Sequence, residues 1–194
     1  NVTPEIRMLY NPQLKGAPNF VPGVMALILL IVCVMMTAIA IVKEKETGTM
    51  EILLVSPMKP SFVIIAKAVP YFILSMLIVL VILILSYFLL DLPIKGSLIL
   101  LLFVSTIFIL TNLLIGILIS IFVKTQQQAM LISLIATMLP TLMLSGFMFP
   151  IENMPIPLQV ISNIIPAKWY YIMIKNIMIK GTGISIIWKP FLVL

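Results

Sequence analysis

The chain has 194 residues, of which 62% are hydrophobic and only 9% are charged, and its net charge is +6. A soluble domain has about a quarter of its residues charged, so this composition indicates a protein of the lipid bilayer. The basic residues are scattered between apolar segments and form no basic stripe interleaved with aromatic residues, which argues against nucleic-acid binding. Because there is no histidine, imidazole metal sites and Ser-His or Cys-His catalytic pairs are excluded.

Long apolar segments predict an all-α, polytopic transmembrane domain over residues 24–194, preceded by the end of an extracytoplasmic segment at residues 1–23. About 19 helical residues, each rising 1.5 Å, cross the ~30 Å of hydrocarbon in a bilayer. Pro22-Gly23 is expected to break the chain before the first span. The predicted spans are residues 24–42, 61–90, 97–123 and 129–149, with a fifth that begins at 184 and is truncated at 194. The chain begins without Met and stops in an apolar run, which is typical of a fragment of a longer protein.

Polar segments separate these spans and set their topology. By alternation, residues 43–60 and the turn at 124–128 share one side of the membrane, while residues 1–23, 91–96 and 150–183 share the other. Lysine and arginine occur on both sides, so the positive-inside rule does not decide the orientation. Residues 166–180 begin with Trp and Tyr and carry spaced lysines, which predicts a helix lying in the membrane interface.

The most elaborate polar segment is the hinge, residues 43–60, with the sequence KEKETGTMEILLVSPMKP. Gly48 permits a sharp bend, Thr47 or Thr49 is able to cap a helix, and Glu51 falls in the first turn, where the helix dipole favours an acid. Met50, Leu53 and Leu54 then form one apolar face. Such a short amphipathic helix either rests on lipid or docks into a groove of a soluble partner. Periodicity alone favours the first interpretation.

Two spans carry small or polar residues at every fourth position. Such spacing lets helices approach closely, and hydroxyl groups hydrogen-bond between them. Ordinary helix packing is therefore the first interpretation, and a dimer interface or a substrate path is the second. The pattern comprises Asn112, Gly116 and Ser120 in the third span, with Ser105 two turns earlier, and Ala129, Ser133, Thr137, Thr141 and Ser145 in the fourth.

The sequence offers no catalytic constellation. None of the acidic residues lies in the middle of a span, so no intramembrane carboxylate pair exists, and no ion-coupling charge is buried there. The P-loop pattern is absent from the sequence, so this chain does not bind ATP by that motif. Any energy from ATP must therefore come from a partner, and the chain is expected to be no enzyme and to hold no cofactor or metal.

Several motifs together resemble the permeases of ABC-2 type transporters, in particular the drug-exporter branch. The hinge matches that family's E-[KR]-E-x-G-T-x-E-x-L-x-V-[ST]-P segment. Residues 66–71 match its Gly-Lys-x-x-Pro-Tyr motif, with Ala66 in place of Gly. Further matches, in the same order, are residues 10–12, 20–23, 116–120, 124–129, 144–155 and 165–166, so the resemblance covers nearly the whole chain.

This resemblance implies a cytoplasmic hinge that touches a separate ATP-binding subunit, which carries the ATP and Mg. The family has six spans, so this chain would hold the second to the start of the sixth. Two permeases, identical or different, would pair with two ATPases. The implied coupling surface is Glu44, Glu46, Gly48, Thr49, Glu51, Leu53 and Pro57. Residues 145–165 would form re-entrant helices at an external gate that includes Gly146, Phe147, Pro150, Glu152 and Pro155.

The function expected is that of a permease subunit of an ATP-driven exporter in a prokaryotic cytoplasmic membrane. Apolar spans without charge, together with the resemblance, favour a hydrophobic or amphipathic, drug-like cargo. Two alternatives remain open. One is export of another cargo, such as a polysaccharide, a lipid or a sodium-linked substrate, and the other is a non-transporting membrane scaffold that recruits an ATPase.

Overall fold

A computed structural model describes residues 17–49, 60–90, 92, 95–181 and 190–191 of the protein. Within these residues every regular element is a helix, which confirms the predicted all-α class. Four helices are long and apolar enough to cross a membrane, namely Asn19–Glu46, Phe62–Leu90, Leu98–Phe122 and Gln126–Leu144. They overlap the residues predicted for the first four spans, with different bounds. The predicted fifth span, apart from residues 190–191, lies outside the described residues.

The first span starts earlier than the sequence suggests. It consists of α1 (Ala17–Leu30), a π-helical segment (Ile31–Met36) and α2 (Thr37–Glu46). Pro22 lies inside α1, so the predicted break at Pro22-Gly23 is wrong. Proline is tolerated inside membrane helices where neighbouring helices support the backbone. Here Val21 and Met25, on either side of Pro22, are both buried in the core of the bundle.

The remaining spans follow in the predicted order. The second span is α3 (Pro60–Leu90) and the third is α4 (Leu98–Phe122). The fourth consists of α5 (Gln126–Ser133), a π-helical segment (Leu134–Met138) and α6 (Leu139–Leu144). Ser97 and Thr125 cap α4 and α5, since each side-chain oxygen accepts a hydrogen bond from a backbone N–H three residues later.

The first span is the centre of the bundle, and it packs against the second, third and fourth spans. In the first span, half of the most apolar 18-residue stretch is buried. The corresponding share is 22% for the second span, which lies at the periphery. Met25, Leu29 and Cys33 of the first span are completely buried. The Sγ atom of Cys33 forms a 3.0 Å hydrogen bond with Ser75 Oγ, which joins the first span to the second.

The segment predicted to lie in the membrane interface packs against the core of the bundle, and its depth in a membrane stays a prediction. It forms α8 (Pro166–Lys175) and a π-helical segment (Asn176–Lys180), which ends at Gly181 with a left-handed φ of 64°. Helix α8 packs against α1 and α4. Tyr170 is fully buried and stacks on Phe108, with the ring centroids 4.0 Å apart. Its hydroxyl group forms a 3.0 Å hydrogen bond with Ser105 Oγ.

Between the fourth span and α8 lie a short 3-10 helix (Ile151–Asn153) and α7 (Ile156–Ser162). Hydrogen bonds establish which connections share an end of the bundle. Gln126 in the 124–128 region binds the hinge residue Glu46, and Lys95 N donates to Met178 O. These contacts bring the 124–128 turn to the hinge and residue 95 to residue 178, and the membrane side of each connection stays a prediction.

Candidate functional site: the polar hub

The last turn of the first span is the meeting point of the other three spans. Glu44, Lys45 and Glu46 are consecutive, and consecutive residues of an α-helix are about 100° apart around its axis. Each of the three side chains therefore leaves the helix in a different direction. Their partners are Lys67 of the second span, Ser120 of the third and Gln126 of the fourth. We call these six residues the polar hub.

Glu44 connects the first span to the second. Its Oε1 atom accepts a 2.6 Å hydrogen bond from Lys67 Nζ, which makes the two an ion pair. Its Oε2 atom accepts a hydrogen bond from the hydroxyl group of Thr49 in the hinge. The two side chains of the ion pair are only partly exposed, 23% for Glu44 and 39% for Lys67. The ion pair thus joins the start of the hinge to the start of the second span.

Lys45 connects the first span to the end of the third. Its ammonium group donates a hydrogen bond to the backbone carbonyl of Ser120. The last carbonyls of a helix have no intrahelical partner, and a cation near them also interacts favourably with the helix dipole. In a continuing helix, the carbonyl group of Ser120 would accept a hydrogen bond from Lys124 N. Here Lys124 N donates to Gln128 Oε1 instead. Lys45 therefore satisfies a carbonyl group that the end of α4 leaves free.

Glu46 connects the first span to the start of the fourth. Its Oε2 atom accepts hydrogen bonds from the backbone N–H of Gln126 at 3.0 Å and from its side-chain Nε2 at 2.9 Å. Gln126 is the first residue of α5, where backbone N–H groups lack intrahelical partners and a negative charge is favoured. Glu46 thus caps the fourth span from another helix.

Immediately after the polar hub the chain turns away from the helix. Thr47 donates a 2.8 Å hydrogen bond from Oγ1 to Lys43 O, and Gly48 has a φ of 75°. This left-handed backbone favours glycine, in agreement with the predicted bend. Three residues of the predicted coupling surface, Glu51, Leu53 and Pro57, lie outside the described residues, as does the amphipathic run that begins at Met50.

The small residues of the third span face the first span. A Cβ atom on Gly116 would lie 2.7 Å from the carbonyl oxygen of Val34, so the two backbones are in direct contact. Asn112 is buried, and its Nδ2 donates to Phe108 O at 2.7 Å. Its Oδ1 has no partner within the described part of the chain. Ser120 is buried one turn beyond Gly116.

The small residues of the fourth span also pack within the chain. Ala129 and Ser133 are buried, and α5, which carries them, packs along α2. Thr137 is half-buried and donates from Oγ1 to Ser133 O at 2.6 Å. The π-helical segments of the first and fourth spans contact each other. Thr141 and Ser145 are buried further along. A role of either stripe at a dimer interface or along a cargo path stays a prediction.

At the opposite end of the bundle, Phe147 of the predicted external gate covers the first span. A Cβ atom on Gly23 would lie only 1.9 Å from a ring atom of Phe147. The same ring is 6.1 Å from the ring of Phe20 and 6.3 Å from that of Tyr171, measured between centroids. Gly146 has a φ of 82°, and this turn aims the ring of Phe147 at the start of α1.

The other predicted gate residues lie beyond this turn. Pro150 O accepts a hydrogen bond from Asn153 N in the 3-10 helix, and Pro155 O accepts one from Leu158 N at the start of α7. Glu152 is exposed and makes no ion pair with any described residue. The two prolines thus start short helices. The contacts of Glu152 define no role for it.

Sequence reasoning missed four residues that organise the two ends. Lys45, Lys67 and Gln126 belong to the polar hub, and Lys168 belongs to the opposite end. The Nζ atom of Lys168 is buried and donates to Ser162 Oγ at 2.9 Å and to Asn163 Oδ1 at 2.6 Å, which ties α7 to α8. Burial lowers the pKa of Lys168. The sequence signals were Lys67, the only charged residue inside the predicted second span, and the matched motif at residues 124–129, which contains Gln126.

Four apolar helices of membrane-spanning length, three of them packed around the half-buried first one and joined to it at one end by the polar hub, define a polytopic membrane protein. A family model described as ABC-2 family transporter protein matches residues 1–194, so the chain belongs to the ABC-2 transporter family. This confirms the resemblance found in the motifs.

Three proteins of Escherichia coli are similar to most of this chain. The probable multidrug ABC transporter permease YbhS is 33% identical over 177 residues, 91% of this chain and 47% of YbhS. The probable multidrug ABC transporter permease YbhR is 35% identical over 192 residues, 97% of this chain and 52% of YbhR. The inner membrane transport permease YhhJ is 35% identical over 201 residues, 100% of this chain and 52% of YhhJ. The chain thus spans about half the length of these relatives. No solved structure matches it.

Proposed function

We propose that this chain is the larger part of the membrane domain of an ABC exporter permease, which moves a hydrophobic or amphipathic cargo out of a prokaryotic cell. Membership of the ABC-2 transporter family supports a transport role. Two of the relatives are described as probable multidrug permeases and a third as an inner membrane permease, which favours a drug-like cargo and the cytoplasmic membrane. A separate subunit supplies the ATP hydrolysis, and a second permease completes the assembly.

The observation that carries this proposal is that three consecutive side chains of the polar hub each hydrogen-bond to a different span. Glu44, Lys45 and Glu46 join the end of the first span to the second, third and fourth spans. The rest of the hinge, from Thr47 onward, follows directly after them. A force that an ATP-binding subunit applies to the hinge therefore reaches the adjoining ends of all four spans through these contacts.

The same contacts support a role inside the permease for two acids of the predicted coupling surface, Glu44 and Glu46. The carboxylate groups of Glu44 and Glu46 are occupied by Lys67, Thr49 and Gln126 of the same chain. We infer that they transmit the movement of the hinge, and that contact with the ATP-binding subunit falls to residues further along the hinge, such as Glu51 and Leu53.

Charge reversal at Glu46 tests the proposal. The whole permease, assembled with its ATP-binding subunit in lipid nanodiscs, is compared with the Glu46→Lys variant. A lysine would direct a cation at the positive end of α5 and could not accept the two hydrogen bonds of Gln126. We expect the complex to assemble, while cargo-stimulated ATP hydrolysis and export fall at least about tenfold, equivalent to ~1.4 kcal/mol of lost coupling.

Gln127→Lys is the matched control, because Gln127 is exposed, lies next to Gln126 and belongs to neither the polar hub nor the predicted gate. It should leave hydrolysis and export unchanged. Wild-type export by an assembled Glu46→Lys complex would refute the coupling role. Hydrolysis of ATP by the wild-type complex without movement of any cargo would favour the scaffold interpretation instead.

A further inference from the structure

A cavity of about 720 Å³ opens between the first and second spans, directly beside the polar hub. Its polar wall includes Lys43, Glu44 and Lys67, and its apolar wall includes Met36, Ile39 and Tyr71. Met36 and Ile39 lie within the membrane-spanning length of the first span, and Tyr71 lies within that of the second. Lipid molecules are therefore the abundant neighbours of this cavity.

The polarity of the cavity changes along its length. Lys43 and Met36 are seven residues apart on one helix, which at 1.5 Å per residue is a distance of about 10 Å along its axis. The charged groups lie at the end of the span, and the apolar side chains lie deeper along it. A phospholipid has the same order, with its phosphate at the membrane surface and its acyl chains inside.

The charges of the cavity favour an anion. Glu44 and Lys67 form an ion pair with a nitrogen–oxygen distance of 2.6 Å and neutralise each other. The ammonium group of Lys43 is exposed and forms no hydrogen bond or ion pair with another described residue, although its charge acts on the nearby Glu44 carboxylate. The charged wall therefore has a net charge of +1. Basic pockets between membrane helices are known to bind the head groups of anionic lipids.

We propose that this cavity binds one anionic phospholipid. The phosphate lies against Lys43, with Lys67 as a second donor, and one acyl chain runs along Met36, Ile39 and Tyr71. The lipid fills the space between the first and second spans. Only 22% of the most apolar stretch of the second span is buried by the protein. It thereby supports the span that receives the Glu44–Lys67 ion pair of the polar hub.

A second cavity, of about 460 Å³, provides an internal contrast. It lies between the second and third spans and is lined by apolar side chains such as Ala68 and Leu113. It contains no charged wall, so it offers nothing to distinguish an anionic lipid from a neutral one. Ala66 of the first cavity and Ala68 of the second are two residues apart on the same helix, which makes them a matched pair for substitution.

The test uses the full-length permease in nanodiscs of phosphatidylcholine, with and without phosphatidylglycerol. Native mass spectrometry counts the retained phosphatidylglycerol, and thermal unfolding measures the stabilisation. We expect one retained molecule and a higher Tm in wild-type protein. One lysine near an anionic surface contributes ~1 kcal/mol, so Lys43→Gln should bind phosphatidylglycerol about fivefold more weakly. Lys43→Arg should bind it as the wild type does, and Ala66→Phe should lose it because the ring fills the cavity.

Two variants serve as controls. Lys124→Gln removes an exposed lysine outside the cavity, and Ala68→Phe fills the apolar cavity instead. Both should retain the lipid. The proposal is overturned if phosphatidylcholine stabilises as well as phosphatidylglycerol, if Lys124→Gln loses as much binding as Lys43→Gln, or if inorganic phosphate alone reproduces the stabilisation. ATP hydrolysis is not part of the readout, so the result is independent of the proposed export.

Discussion

The two ends of the helix bundle are held together by different forces. At one end, the polar hub joins four spans through charged and amide groups that are partly or, as at Glu46, fully accessible to solvent. At the opposite end, an aromatic ring lies on Gly23, and Gly96 lies against the backbone of Ile177. Hydrogen bonds between exposed groups exchange readily with water, whereas steric contacts between backbones leave no room for adjustment. We therefore expect the hub end to be the mobile end of the bundle and the opposite end to be the fixed one.

The turn between the second and third spans shows how tight the fixed end is. A Cβ atom on Gly96 would lie 2.5 Å from Ile177 O, and one on Gly181 would lie 3.1 Å from Lys95 O. Lys95 N also donates to Met178 O at 3.2 Å. This turn and the π-helical segment after α8 are thus in backbone contact at several points. A movement at the hub end would pivot about this region.

The largest effect is expected for Gly96→Val at the fixed end. The new side chain would collide with a carbonyl group of the backbone, so we expect a loss of about 1–3 kcal/mol in the free energy of unfolding. Because the cause is steric, the loss should be the same at low and high ionic strength, as measured by unfolding of the full-length permease in micelles. Ile99→Val, at a residue that is 81% exposed, is the control and should change little. A loss that salt abolishes would contradict the comparison.

A smaller effect is expected for Gly23→Ala, because the atom in the way belongs to a side chain that is able to move. Displacing the ring of Phe147 should cost about 1 kcal/mol, at the lower end of the range for overpacking. In a Phe147→Ala background the same substitution should cost nothing, since the ring is gone. A double-mutant cycle measured by unfolding checks this coupling. Additive effects of the two substitutions would show that Phe147 does not rest on Gly23.

The smallest effect is expected at the mobile end, for the Glu44–Lys67 ion pair. The pair is partly exposed, so the interaction energy from a Glu44→Gln and Lys67→Gln cycle should be about 0.2–1 kcal/mol. It should decrease as salt is added, because exposed charges are screened over ~10 Å at 0.1 M ionic strength. Lys67→Gln combined with Glu152→Gln should give no interaction energy. A large, salt-independent value would mean that the hub end is as rigid as the opposite one.

The positions of the spans were predictable because length and apolarity alone require helices in a membrane. Two local departures from sequence preferences were not predictable. Pro22 normally ends a helix, but buried neighbours on both sides hold it inside α1. Trp169, Tyr170 and Tyr171 fit a membrane interface by type, yet the ring of Tyr170 is stacked on Phe108 in the core. At Pro22, tertiary packing overrides the tendency of proline to end a helix. At Tyr170, it buries a ring whose residue type alone suggested a position at the membrane interface.

The acids of the hinge stood out because they interrupt a long apolar sequence, and the motif marked them as functional. Their partners did not stand out. Lys67 lies 23 residues from Glu44 along the chain, Ser120 lies 75 from Lys45, and Gln126 lies 80 from Glu46. Spacing carries no information about such pairs, and Ser120 contributes only a backbone carbonyl group. Folding brings them together by placing the ends of four spans around one helix.

The order of Glu44, Lys45 and Glu46 has a consequence for changes in chain length. Inserting or deleting one residue in α2 would rotate everything after it by about 100° around the helix axis. Every side chain would then meet the wrong neighbour, with an acid directed at the C-terminal end of the third span or a lysine at the N-terminal end of the fourth. The first span therefore needs a fixed number of residues between its buried core and its last turn.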